Sequence, residues 1–153
     1  MTLNTYEDLL SFLRGQGAVF VEVPGQPAVE LATHQPPVEG VLCIIWHPDV
    51  PLVQLVHPLP FQIPPDRIPA IERALLLINH ALILPGFGMN HAQSTAYFRL
   101  ALPRQVDAGI AEAEFQRAIS TLMGTLRNFW EPLRAVAEGA PPEGVLSTGS
   151  RTH

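Results

Sequence analysis

The sequence predicts an α+β domain: an antiparallel β-sheet with helices packed on it, in the order α-β-β-β(-β)-α-β-β-α. Three observations carry this prediction. Between Val19 and His57 the apolar residues alternate or run continuously, as strands do; from Ile68 to Leu82 and from Phe115 to Val136 they recur at helical spacing. Between the two helical stripes a short segment, Thr95 to Leu102, returns to strand character.

Each element follows from local chemistry. Thr5 is placed to cap a first helix with Asp8 three residues on, and Tyr6, Leu9, Leu10 and Leu13 give that helix an apolar side before Gly15 and Gly17 stop it. Val19, Val21 and Val23 alternate with Phe20 and Glu22, the Pro24-Gly25-Gln26-Pro27 segment turns, and Ala28 to Ala32 return. After a Pro-rich connection from His34 to Pro37, VLCIIWH is apolar on both faces, and PDVP leads to LVQLVH. These read as central strands. Pro60 to Pro65 closes the sheet segment, Asp66 is placed as the cap of a second helix, and Pro69 falls in its tolerated first turn.

In that helix Ile68, Ile71, Leu75, Ile78 and Leu82 form one stripe, while Leu76 and Leu77 project elsewhere. One sheet does not cover all of them, so Ile71, Leu75, Leu76 and Leu77 are expected at a dimer interface. Pro85, Gly86 and Gly88 break the helix, and Asn90 to Gln93 turns a hairpin. The last helix carries Phe115, Ile119, Leu122, Leu126, Phe129, Leu133 and Val136 as a one-sided seam, widened by Met123 and Trp130, with Pro132 expected to kink or end it. Glu112 and Glu114 open it, where carboxylates suit the helix dipole.

At 153 residues the chain fits one domain with one core, placed at residues 1–138; residues 139–153, rich in Pro, Gly, Ser and Thr, are expected to be a flexible C-terminal tail. Apolar residues make up 47% and charged residues 15%, which favours a covered surface and hence a partner. The net charge is −5, and all nine basic residues are arginines scattered along the chain, which disfavours nucleic acid as a ligand. The opening MTLNTYEDLL is acidic and helix-patterned rather than a secretory leader, and Asn79 and His80 interrupt the longest apolar helix; no membrane association and a cytoplasmic location are expected.

Several residue pairs carry side chains capable of chemistry. His47 and His57 fall on strands that pair about Pro48 to Pro51, which sets them about 20 Å apart along the sheet. His47 and Asp49 flank a turn proline, and His80 and His91 lie near one another in sequence, yet neither pair supplies the three ligands of a catalytic metal site. No metal and no cofactor is expected. Cys43, the single cysteine, sits in an apolar strand without a basic partner, and Gly86-Phe87-Gly88 lacks the lysine and helix start of a phosphate loop. Asn79, polar within an apolar helix, is read as a hydrogen-bonding group that fixes helix-to-strand register.

The Ile78-Asn79 step, the break at Pro85-Gly86-Phe87, the strand Tyr97-Phe98-Arg99 followed by Leu102-Pro103, and the long terminal helix with its Trp130-to-Val136 segment resemble the bacterial YbjN family of sensory-regulator-like proteins, within a type III secretion chaperone-like fold. The likeness covers residues 66–138 best. It implies a homodimer that binds other proteins, without catalytic residues. The expected function is therefore a non-enzymatic, chaperone-like or regulatory module that holds a protein partner of unknown identity on an apolar sheet surface lined by Val19, Val21, Val23, Leu42, Ile44 and Trp46. The alternative is a small-molecule-binding or hydrolytic domain with a pocket near His47, Asp49 or His80.

Overall fold

A computed structural model describes residues 1–84 and 86–149 of the chain. Pro85, named above as a helix breaker, and residues 150–153 of the expected tail lie outside the described residues. In order, the elements are β1 (Thr2–Leu3), α1 (Tyr6–Gly15), β2 (Phe20–Glu22), β3 (Ala28–Gln35), β4 (Val38–Trp46), β5 (Leu52–Pro58), α2 (Ile68–Ala81), β6 (Phe87–Asn90), β7 (Thr95–Pro103), β8 (Ile110–Ala111), α3 (Glu112–Ala137) and α4 (Val145–Gly149). Six strands form one antiparallel sheet in the order β2-β3-β4-β5-β7-β6, while β1 and β8 make a separate two-stranded patch. The predicted α+β class and element order hold, with four strands in the first half and the β1/β8 patch and α4 added.

Helix α1 starts on a reciprocal cap: the Asp8 amide donates to Thr5 Oγ1 at 3.1 Å and the Thr5 amide donates to Asp8 Oδ2 at 3.0 Å. The Asp8 carboxylate, which accepts from the backbone amides of Asn4 and Thr5, is held below its usual range by those hydrogen bonds. Helix α2 differs from expectation at its start. Asp66 sits in a 3₁₀ turn, Pro65–Arg67, and no side chain caps the helix.

All three long helices lie on one face of the sheet. Phe12 of α1 meets Phe115 of α3 edge-on at 5.8 Å, Phe61 meets Trp130 at 5.9 Å, and Phe87 of β6 meets Phe129 of α3 at 6.1 Å. The α3 seam is buried as its spacing requires, except that Ile119 is only partly covered and Ala118 joins the core. Pro132 does not end the helix: α3 runs through it to Ala137, because burial of Trp130, Leu133 and Val136 around it offsets one lost backbone hydrogen bond.

The expected tail also needs correction. Val145 is buried and Leu146 packs against the core; Arg67 donates to the carbonyls of Val136 and Ala140, at 3.0 and 2.6 Å, and Arg73 pairs with Glu143 at 2.7 Å. Proline and glycine content suggested mobility, but one apolar side chain and these polar contacts hold the segment as far as α4 on α2 and α3.

Candidate functional site: the uncovered sheet face

In a strand, successive side chains point to opposite faces, so pairing register decides which residues meet the helices and which meet solvent. On β4 the buried set is Val38, Leu42, Ile44 and Trp46; on β5 it is Val53, Leu55 and His57; on β7 it is Ala96, Phe98 and Leu100. These are the helix-facing residues. The complementary set, Val41, Cys43 and Ile45 on β4, Leu52, Gln54 and Val56 on β5, and Tyr97, Arg99 and Ala101 on β7, faces away from every helix and is partly or fully exposed.

This corrects half of the expected partner-binding surface. Leu42, Ile44 and Trp46 are core residues, at most 5% exposed, because they sit one residue out of phase with the open face. Val19 and Val21 remain available, at 87% and 68% exposure, and Val23 is partly covered. Val21 pairs with Glu30 and belongs to the open face. Of the outward residues missed from the sequence, Val41, Cys43 and Ile45 were marked there by the run VLCIIWH being apolar on both faces, with only the phase wrong, and Val56 lies in the paired run LVQLVH.

The expected dimer-interface residues divide in a similar way. Ile71 and Leu75 are buried within their own chain, Leu77 is partly covered against the same core, and Leu76 is 70% exposed. The α2 stripe is thus spent on the sheet and α3, and of the four only Leu76 is left outward.

The open face has a definite chemistry. One cross-strand row runs Val21, Glu30, Cys43, Val56, Arg99 over β2, β3, β4, β5 and β7, each residue opposite the next. An adjacent row pairs Ala32 with Val41 and Pro58 with Tyr97, and the row on the other side joins Ile45, Gln54 and Ala101. Tyr97 lies over Gly88 of β6, where a Cβ would collide with the phenol, and the Arg99 guanidinium sits 5.7 Å from the Tyr97 ring. A shallow depression of about 290 Å³ opens here, lined by Ile45, Gln54, Val56, Pro58, Tyr97 and Arg99 among others. Burial, aided by the Glu30 carboxylate, pushes the Cys43 thiol up, so it stays protonated rather than nucleophilic.

The residues of the alternative reading are not gathered. His47, half-buried at one end of the face, bonds to Gln54 Oε1 at 2.8 Å, and Asp49 is exposed in the turn beyond. Leu52 is opposite Pro103, whereas Gly86, which lies against Asn79 at the end of α2, bonds to Arg99. Four residues along β7 put His47 and His80 at roughly 13 Å apart along the sheet, before the spacing across strands is added. His91 bonds Glu72 of α2, a carboxylate partner that the sequence reading overlooked. Among the described residues no three His, Cys, Asp or Glu side chains come together as a metal site.

Two polar groups on the helix side serve the fold. Asn79 accepts from the Phe87 amide at 2.8 Å and donates to the Phe87 carbonyl at 2.9 Å. It acts as a one-residue strand against the free edge of β6, fixing the register of α2 against β6 and occupying that edge at Phe87. His57, fully buried, contacts the Pro58 carbonyl through Nδ1 and Thr33 Oγ1 through Nε2, both at 2.8 Å. Gly40, at φ 122°, leaves the room that this imidazole occupies. Burial holds the His57 pKa below its usual value, although the Pro58 carbonyl pulls the other way.

The domain thus has two layers, three long helices on one face of an antiparallel sheet and, among the described residues, no element on the other. The sequence profile of the YbjN family, described as "Putative bacterial sensory transduction regulator", matches residues 39–134, and the chain belongs to that family. The fold agrees: the crystal structure of YbjN from E. coli, described as "a putative transcription regulator", superposes with a TM-score of 0.61 at 12% sequence identity, covering 80% of this chain and 86% of that one. No curated protein matches the sequence. Among the described residues no helix is long and apolar enough to cross a membrane.

Proposed function

We propose that this chain is a non-enzymatic regulatory module of the cytoplasm that acts by binding protein on the open face of its sheet. One observation carries the reading. An antiparallel sheet with a solvated face normally places polar residues there, yet Val41, Cys43, Ile45 and Val56 occupy the centre of a face that no element among the described residues covers. The family description as a sensory transduction regulator supports a role in which association, not turnover, is the output. The partner-binding set is then Val21, Val41, Ile45 and Val56, in place of Leu42, Ile44 and Trp46.

The test is affinity capture from native lysate, identification of the retained protein by mass spectrometry, and titration of that purified protein against variants. Val41→Asp and Ile45→Asp should each weaken binding by about 30-fold, as loss of a central interface residue does, with an unchanged circular-dichroism spectrum. His47→Ala and Asp49→Ala should leave it unchanged. The reverse ranking would replace protein binding with a polar ligand site at the β4–β5 turn.

A further inference from the structure

Two unpaired charges give the open face a chemical preference. In its three central rows the charged side chains are Glu30 on β3 and Arg99 on β7, both exposed, with Cys43 and Val56 between them in the same row. Neither has an ion-pair partner among the described residues. Glu30 stands beside the Cys43 thiol and Arg99 over the Tyr97 ring, neighbours that leave both charges uncompensated. A docking face with an acid and a base left open is complementary to a partner that brings a base and an acid.

The spacing decides the partner's backbone. Glu30 and Arg99 are three strand-to-strand steps apart, about 14 Å at about 4.8 Å each. In an extended chain, residues four apart point to the same side and lie about 13 Å from one another, at about 3.3 Å per residue. A helix fits less well. Its residues that share a side are seven or eleven apart, which is about 10.5 or 16.5 Å at about 1.5 Å per residue.

We propose that the open face binds an extended segment of a partner protein laid across its strands, with a basic residue over Glu30, an apolar residue two positions on over Cys43 and Val56, and an acidic residue two positions further over Arg99. The proposal rests on the reading of this face as a protein-docking surface and states what the partner presents to it. An extended chain crossing strands near a right angle has the relation that orthogonally packed sheets have. Val41 and Ile45, the next outward positions on β4 to either side of Cys43, wall in the central apolar residue. Turned end for end, the segment keeps the same side chains on the sheet and reverses their order, so an acid-first sequence fits equally. Spacing and opposite sign carry the recognition.

The probe is a dye-labelled synthetic peptide of nine residues with Arg, Val and Asp at its third, fifth and seventh positions and Ser or Thr elsewhere. It is titrated by fluorescence anisotropy with the full chain up to about 500 μM at low salt, where exposed ion pairs are least screened. Saturable binding is expected, weakened about fivefold or more by Glu30→Arg alone and by Arg99→Glu alone, and restored by the double swap, which takes the peptide end for end. A peptide with a second Arg in place of Asp should bind wild type about fivefold more weakly and recover against Arg99→Glu. Leu76→Asp, on the helix side, should change nothing.

Absence of saturable binding, indifference to the single swaps, or a double swap no better than the singles would each overturn the proposal. So would tighter binding of a helical peptide whose base and acid are seven or eleven apart. Self-association of the chain that the swaps weaken and the peptide does not displace would give the row to a second copy instead, and overturn it as well. If the peptide fails while Ile45→Asp still weakens binding of a captured protein, the docking reading stands and only this occupant fails; if neither the peptide nor the captured protein responds to Ile45→Asp, both fail.

Discussion

The two faces of one sheet are made from neighbouring residues, yet they answer to different constraints. On the helix side Ile44, Val53, Leu55 and Phe98 lose all contact with water and pack against α1, α2 and α3. One residue along each strand, Ile45, Gln54, Val56 and Arg99 remain in reach of solvent. The inner set fixes the fold through volume and burial; the outer set contributes little to folding and is free to answer to association. Apolar residues stand on both faces, and only their phase separates a core residue from an outward one.

The sharpest way to break that comparison is to truncate adjacent residues. Ile44→Ala should cost about 3 kcal/mol in urea denaturation, through lost transfer energy and the cavity left behind. Ile45→Ala should cost under about 1 kcal/mol. Equal losses would mean that the outer face is as enclosed as the inner one.

Asn79 comes next. Removing its amide in Asn79→Ala strands the Phe87 N–H and C=O together, and about 2 kcal/mol should be lost, with faster hydrogen exchange concentrated in β6. An unchanged exchange rate at Phe87 would deny Asn79 its role as edge strand.

His57 brings pH into the comparison, because it is a titratable group buried on the inner face. Its pKa is lower folded than unfolded, so the unfolded chain binds more protons between the two values. The stability of the neutral ring is thus complete above about pH 6.5 and declines as pH falls below it, by at most about 1.4 kcal/mol per pH unit. In His57→Gln this part of the urea midpoint's pH dependence should vanish, whereas His47→Gln, on the outer face, should retain it. A wild-type midpoint that is flat from pH 7 to 5 would contradict the burial argument.

The smallest effect belongs to Arg104, which donates to the carbonyls of His47 and Val50, at 2.6 and 3.1 Å, and sits 4.7 Å from the Trp46 ring. Arg104→Ala should cost about 1 kcal/mol by loosening the β4–β5 turn, leaving the outer face usable. Loss of binding on that change would tie the open face to the turn more closely than the inner–outer division allows.

Much of this was legible in the chain because it depends on near neighbours. Thr5 and Asp8 form their cap within one turn, the α3 stripe is a matter of spacing on one helix, and Asn79 stood out as polar among Leu and Ile. Other features depend on distant partners. Asp66 lies close to a helix start, but the Pro64 and Pro65 geometry makes a 3₁₀ turn there instead. Residues 140–147 read as mobile by composition, yet Arg67 and Arg73, some seventy positions earlier, hold their backbone and Glu143 in place.

The sequence by itself determined the α+β class, the order of the principal elements and the surplus of apolar strand residues, since helical and strand periods are set by the local backbone and the side chains in series. Only the tertiary structure decided that Ile44 is core and Ile45 is surface. Both are isoleucines in one strand, and nothing in their immediate neighbourhood tells them apart. Their fates part because α1, α2 and α3 all dock on one side of the sheet, and long-range pairing with β3 and β5 fixes which side each residue meets.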